Sequence, residues 1–183
     1  MKFNIRHLLQ VGFSLIIAVL LGACASTPLE DDIDPFAPIV FKEGLTTLPS
    51  TPPNKSTLQP FFVSNTTLFK FAIDTNSIRI SQDGVTRYTV VMISPNGNTQ
   101  TQFEGIRCDS FQWRLYGNLE NGQWKENPLS AWLMIKSNVA NRYQAALAQG
   151  ALCDLAIQET NLSSILRSLN PNRFTGQTKS PDN

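Results

Sequence analysis

Val85-Thr86-Arg87-Tyr88-Thr89-Val90-Val91-Met92-Ile93 runs into Ser94-Pro95-Asn96-Gly97-Asn98 and returns as Thr99-Gln100-Thr101-Gln102-Phe103-Glu104-Gly105-Ile106. The first nine residues are the most β-prone in the chain and apolar on both faces, as a central strand requires. Asn-Gly accepts the positive φ angles of a tight reversal, so the middle block predicts a hairpin. Upstream, Thr67 to Ile73 sets Phe69, Phe71 and Ile73 against Leu68, Lys70 and Ala72, predicting one strand. Ser77 to Ile80 predicts a second, ending at the turn Gln82-Asp83-Gly84. Downstream, Phe111 to Tyr116 predicts a further strand, and Asn121-Gly122 a turn before Trp124. The period then changes. Val139, Tyr143, Ala146 and Leu147 share a helical face that Gly150 would end. Ile165, Leu166 and Leu169 make a second helical stripe from Leu162, with Asn161 as N-cap and Pro171 as the stop. The expected fold class is α+β: a mostly antiparallel, twisted β-sheet followed by two C-terminal helices.

Charge inside such a sheet needs a reason, because buried ions are costly unless paired. Arg87 and Glu104 stand on opposite arms of the hairpin, and Arg107 follows closely. Pairing centred on Asn96-Gly97 sets Arg87 opposite about residue 106, with Glu104 nearby if the register permits. One reading is a cross-strand ion pair. A second is a polar pocket in which Arg87 or Arg107 grips a carboxylate or phosphate with its planar fork. A third leaves these charges in solvent. Trp113, Trp124 and Trp132 could stack on sugars, but their irregular spacing favours packing.

The N-terminus has a different composition. Lys2 and Arg6 precede an apolar run from Leu8 to Leu21, and Gly22-Ala23 lead into Cys24. This is a secretory-signal architecture, too short and wrongly flanked for a spanning helix. Leu21-Gly22-Ala23-Cys24 resembles a bacterial lipobox. That resemblance implies cleavage before Cys24, a diacylglyceryl thioether on its sulfur and an acylated amino group. One chain anchors marginally and two or more hold stably. Ala25 at the next position, rather than Asp, favours the outer membrane's periplasmic face. Lipidation of Cys24 would leave Cys108 and Cys153 as an even pair in an oxidising compartment, either a disulfide or two separate buried thiols.

The leader also carries the only histidine, His7. Cleavage would therefore leave no Ser-His-Asp, Cys-His or His-metal arrangement, and no metal-ligand spacing, phosphate loop or cofactor motif stands out. Of 15 basic and 14 acidic residues the leader holds only Lys2 and Arg6, so the remainder is near neutral and no nucleic-acid footprint is expected. Residues 1–23 are read as the signal peptide and 24–33 as an acidic, Pro-containing tether. Residues 34–158 form the domain, 159–170 a C-terminal helix and 171–183 a disordered tail. Seven of eleven prolines fall between 25 and 60, favouring extended chain. Ile39-Val40-Phe41 is too apolar for a pure tether and is expected to pack on the domain as a strap.

Arg87-Tyr88-Thr89, Phe103-Glu104-Gly105-Ile106-Arg107-Cys108 and Gly122-Gln123-Trp124 resemble the CNP-like (cryptic neisserial protein-like) family of proteobacterial envelope proteins. Asp83-Gly84 and Trp132 fit the same pattern, over about residues 34–155. The resemblance implies a compartment but no reaction. The expectation is a non-enzymatic envelope lipoprotein held by its lipid anchor, with an envelope protein or the cell wall as partner. The alternatives are a small-ligand module using Arg87, Glu104 and Arg107, and an enzyme using carboxylate chemistry.

Overall fold

A computed structural model describes residues 40–136 and 142–170. The expected signal peptide, Cys24, the expected tether and the expected C-terminal tail lie outside the described residues, as does Val139. The chain divides into two units between Val40 and Phe41. The described strands and helices all belong to the second.

An antiparallel meander forms the body. Strands β1 (Leu58–Pro60), β2 (Lys70–Ile80), β3 (Val85–Ile93), β4 (Thr99–Arg107), β5 (Gln112–Glu120) and β6 (Gln123–Glu126) lie side by side in chain order. β7 (Leu133–Met134) pairs with the start of β5. Short α1 (Arg142–Leu147) continues through Ala148–Leu152 in a wider, π-type winding. A small hairpin of β8 (Cys153–Asp154) and β9 (Ile157–Gln158) precedes α2 (Leu162–Leu169). The α+β class with a sheet followed by two helices is what the chain forms.

The central strand is β3, buried along all but its last residue. Its even positions Tyr88, Val90 and Met92 join Ile73, Ile106, Leu147, Leu152 and Ile165 in the helix-side core. Its odd positions face the other way, beside Phe103 on β4, and among them Arg87 bonds to Thr46 of the segment that begins at Phe41. Two-sided cover is what the unbroken apolar run anticipated.

Three local expectations change. The two strands read at Thr67–Ile73 and Ser77–Ile80 are a single β2 with an irregularity between Asp74 and Arg79. There the Asp74 side chain accepts the Asn76 N–H at 3.2 Å. Ser77 Oγ donates to the Asp74 carbonyl and accepts the Thr89 N–H, both at 2.7 Å. These side chains replace missing ladder bonds. Phe111, expected in a strand, instead sits at a left-handed turn with φ of 50° before β5. Gly150 does not stop the first helix; the π-type turns run through it to Leu152. Asn161 does cap α2, accepting the Ser164 N–H at 3.2 Å.

Cys108 and Cys153 are disulfide-bonded, with Cα atoms 5.6 Å apart and a sequence separation of 45. The staple ties the end of the π-type winding to the residue after β4.

Candidate functional site

The hairpin register decides which charges meet. Ile93 pairs with Thr99, Tyr88 with Glu104 and Arg87 with Gly105. The reversal is a turn in which Gly97 N–H donates to the Ser94 carbonyl at 2.9 Å, followed by Gly97 itself at φ of 84°. That three-residue loop with a left-handed glycine moves the pairing one residue from the two-residue turn centred on Asn96-Gly97. A one-residue move exchanges faces. Arg87 and Glu104 therefore project to opposite sides of the sheet and form no ion pair.

On the helix side, Glu104 is fully buried. The Tyr88 hydroxyl donates to Oε2 at 3.0 Å and the Tyr143 hydroxyl to Oε1 at 2.6 Å. Gln144 Nε2 lies 3.4 Å from Oε1. Tyr143 is held in place by stacking on Phe71, with centroids 5.3 Å apart. Burial pushes the Glu104 carboxyl up to about 7, against the pull of these three hydrogen bonds. The same burial, with Glu104 beside it, drives Tyr143 well above the ordinary phenol range. This cage is closed and holds α1 against β3 and β4.

On the opposite side, Arg87, Gly105 and Arg114 are successive partners across β3, β4 and β5. Two guanidiniums thus flank a position without a side chain. A Cβ on Gly105 would stand 2.8 Å from the Tyr116 ring and 2.8 Å from Val85 Cγ1, so the Glu-Gly-Ile-Arg-Cys motif needs glycine there. Tyr116 occupies that space. Like charges across strands are unfavourable without an anion, and the anion comes from the chain's own strap. Glu43 Oε2 accepts from Arg114 Nη1 at 2.7 Å and from Trp132 Nε1 at 3.1 Å. Glu43 Oε1 accepts from the Tyr116 hydroxyl at 2.6 Å and lies 3.5 Å from Arg87 Nη2.

Arg87 has a second carboxylate. Its Nη1 and Nη2 donate to the two oxygens of Asp83 at 3.2 and 2.8 Å, and its Nε donates to Thr46 Oγ1 at 2.8 Å. Burial pushes the Asp83 carboxyl up, but Arg87 and the Gly44 and Val85 N–H groups outweigh it and hold the group below its usual range. Arg107 lies on this same side, away from Glu104. Its guanidinium stacks 3.4 Å from the Phe41 ring centroid and 5.6 Å from that of Trp132, and Nη2 donates to Asp109 at 2.8 Å. Beside Glu43 a cavity of about 270 Å³ opens, lined in part by Leu45, Leu48, Tyr116, Asn127 and Pro128.

A family model for the CNP1-like family matches residues 37–170. The chain belongs to that family. No curated protein and no solved structure matches it. The span that the CNP1-like chain shares with its family includes Glu43, Arg87, Glu104, Arg107 and Arg114, along with both cysteines of the disulfide.

Of the three site residues read from sequence, Arg87 and Arg107 share the strap face and Glu104 stands apart on the helix face. Glu43, Asp83, Arg114, Tyr116 and Trp132 were missed as a set. The register supplies the missing signal: once Arg87 is aligned with Gly105, Arg114 falls next in line, and two cations around a glycine require a carboxylate from elsewhere. Trp132 and Trp124 are packing and hydrogen-bonding residues. Trp132 meets Phe41 and Tyr116 edge-on, and Trp124 Nε1 donates to the Thr51 carbonyl at 3.2 Å.

Proposed function

We propose that this CNP1-like chain is a bacterial envelope lipoprotein, anchored through Cys24 at the periplasmic face of the outer membrane. There it works without catalysis as an interaction or structural module. The observation that carries the reading is Leu21-Gly22-Ala23-Cys24 at the end of a basic and then apolar leader. A disulfide between Cys108 and Cys153 suits an oxidising compartment. The stretch from Cys24 to Val40 would give the domain a reach of roughly 20–25 Å if flexible.

The alternatives weaken on the geometry of Glu104. A pocket shared by Arg87, Glu104 and Arg107 would need one face, and these residues occupy two. Carboxylate catalysis would need access and a second acid, whereas Glu104 is sealed among Tyr88, Tyr143 and Gln144. Carboxylate recognition keeps support at Arg87, where an acid is already seated.

The test is crosslinking in intact cells with identification of the captured proteins, comparing wild type with Cys24→Ser. Wild type should fractionate with membranes and capture a reproducible partner. Cys24→Ser should accumulate as uncleaved or soluble protein and lose that partner. Membrane retention of a Cys24→Ser variant cleaved at the same bond would contradict the reading, as would the absence of any specific partner of the wild type.

A further inference from the structure

The strap from Phe41 to Thr51 crosses the sheet without joining it. Among the described residues, each of its hydrogen bonds to the sheet uses at least one side chain. Gly44 N–H donates to Asp83 Oδ2 at 2.8 Å, Thr46 accepts from Arg87, Glu43 accepts from three donors, and the Thr51 carbonyl accepts from Trp124. No ladder fixes the strap, so what holds it is a pattern of side-chain recognition.

That pattern is built around one carboxylate. Arg87, itself buried, keeps Asp83 when Glu43 is removed, and Arg107 keeps Asp109. Arg114 has Glu43 as its carboxylate partner and no other among the described residues. Its Nε is buried without a hydrogen-bond acceptor, so the guanidinium has donor capacity that Glu43 leaves unused. Two cations, a phenol and an indole N–H converge on a single acid, all supplied by the sheet and the loop before β7. The neighbouring positions are read as well. Phe41 lies on Arg107, Gly44 fits because a Cβ there would come within 3.1 Å of Asp83, and Leu48 fills the space that Gly117 leaves. The cavity beside Glu43 opens to solvent next to fully exposed Leu45, giving an incoming acid an approach that leaves the sheet intact.

We propose that Arg87, Arg114, Tyr116 and Trp132 form a carboxylate-recognition site, filled in cis by Glu43. An extended acidic segment of a partner protein, with an aromatic residue two positions before its acid, would fill it in trans by displacing the strap. In sequence the strap follows the proposed tether and precedes the sheet, so its release would expose the cradle without cutting the chain from its anchor. This deepens the interaction reading and rests on it. Loss of the cradle would leave an anchored module, whose fate is decided by the crosslinking experiment.

The probe is a capped octapeptide, Phe-Lys-Glu-Gly-Leu-Thr-Thr-Leu, whose only carboxylate is its glutamate. It is titrated against the detergent-purified chain carrying Glu43→Gln, beside a control peptide with glutamine in that place. The glutamate peptide should bind at least tenfold more tightly, and adding Arg114→Gln to the chain should abolish the preference. Equal binding of the two peptides, or none at millimolar concentration, overturns the proposal. Hydrogen exchange on the wild-type chain gives a readout free of any folding defect in the variant. At saturating glutamate peptide, the chain's own residues 41–48 should exchange faster while those of β3 and β4 do not. Unchanged exchange of the strap at that concentration also overturns it.

Discussion

Replacing Glu104 by Gln should remove most of the pH dependence of this domain's stability between pH 5 and 8. Glu104 holds its proton up to about pH 7 in the fold, against 4.5 for an unperturbed glutamate. A raised carboxyl favours the neutral form, so its contribution is fully present below about pH 4.5. It declines as pH rises and is lost on passing through about 7. At 1.36 kcal/mol per tenfold change in proton affinity, the difference comes to about 3 kcal/mol. The sole histidine, His7, lies upstream of the domain, so the domain has no imidazole to titrate in that window. Glutamine keeps the shape and presents an oxygen to Tyr88 or Tyr143. Its new N–H group has an acceptor at hand in Gln144 Oε1, which is buried without a partner, once that amide turns over. Urea unfolding followed by tryptophan fluorescence at pH 5, 6, 7 and 8 measures the effect. The wild type should lose about 2.5 kcal/mol across the series, since part of the contribution is already gone at pH 5, and Glu104→Gln should lose little. Parallel pH profiles for the two proteins would refute the assignment of a neutral, buried Glu104.

Packing and the staple give two further expected outcomes. Gly105→Ala should destabilise the domain by about 1–3 kcal/mol, because the added methyl meets the Tyr116 ring and Val85, and a fall in Tm by calorimetry checks it; an unchanged Tm would mean that Tyr116 does not lie across Gly105. Cys108→Ser should cost about 2–4 kcal/mol in denaturant unfolding, as expected for opening a loop of this length, and labelling of both thiols in the native protein would show the pair to be open.

The hairpin at Ser94–Asn98 was legible because Pro, Asn and Gly each restrict or free a known torsion, but its register was not. Both a two-residue Asn-Gly turn and a three-residue loop ending on a left-handed Gly97 fit the same letters. They differ by the one residue that decides whether Arg87 faces Glu104 or turns from it. The helix from Leu162 was legible down to its Asn161 cap, since both signals are local. Gly150 misled because a π-type winding satisfies the backbone where glycine usually ends a helix. The strap was partly visible in Phe41. The role of Glu43 was not, for its partners Arg114, Tyr116 and Trp132 lie 71 to 89 residues away. No periodicity links an irregular segment to such distant positions.

The anchor at Cys24 is the claim on which the placement of this domain depends. Intact-mass measurement of the protein purified from its own membranes tests it directly. The chain should begin at Cys24 and exceed its peptide mass by a diacylglyceryl group and one further acyl chain. An unmodified Cys24, or a chain that retains residues 1–23, would contradict it.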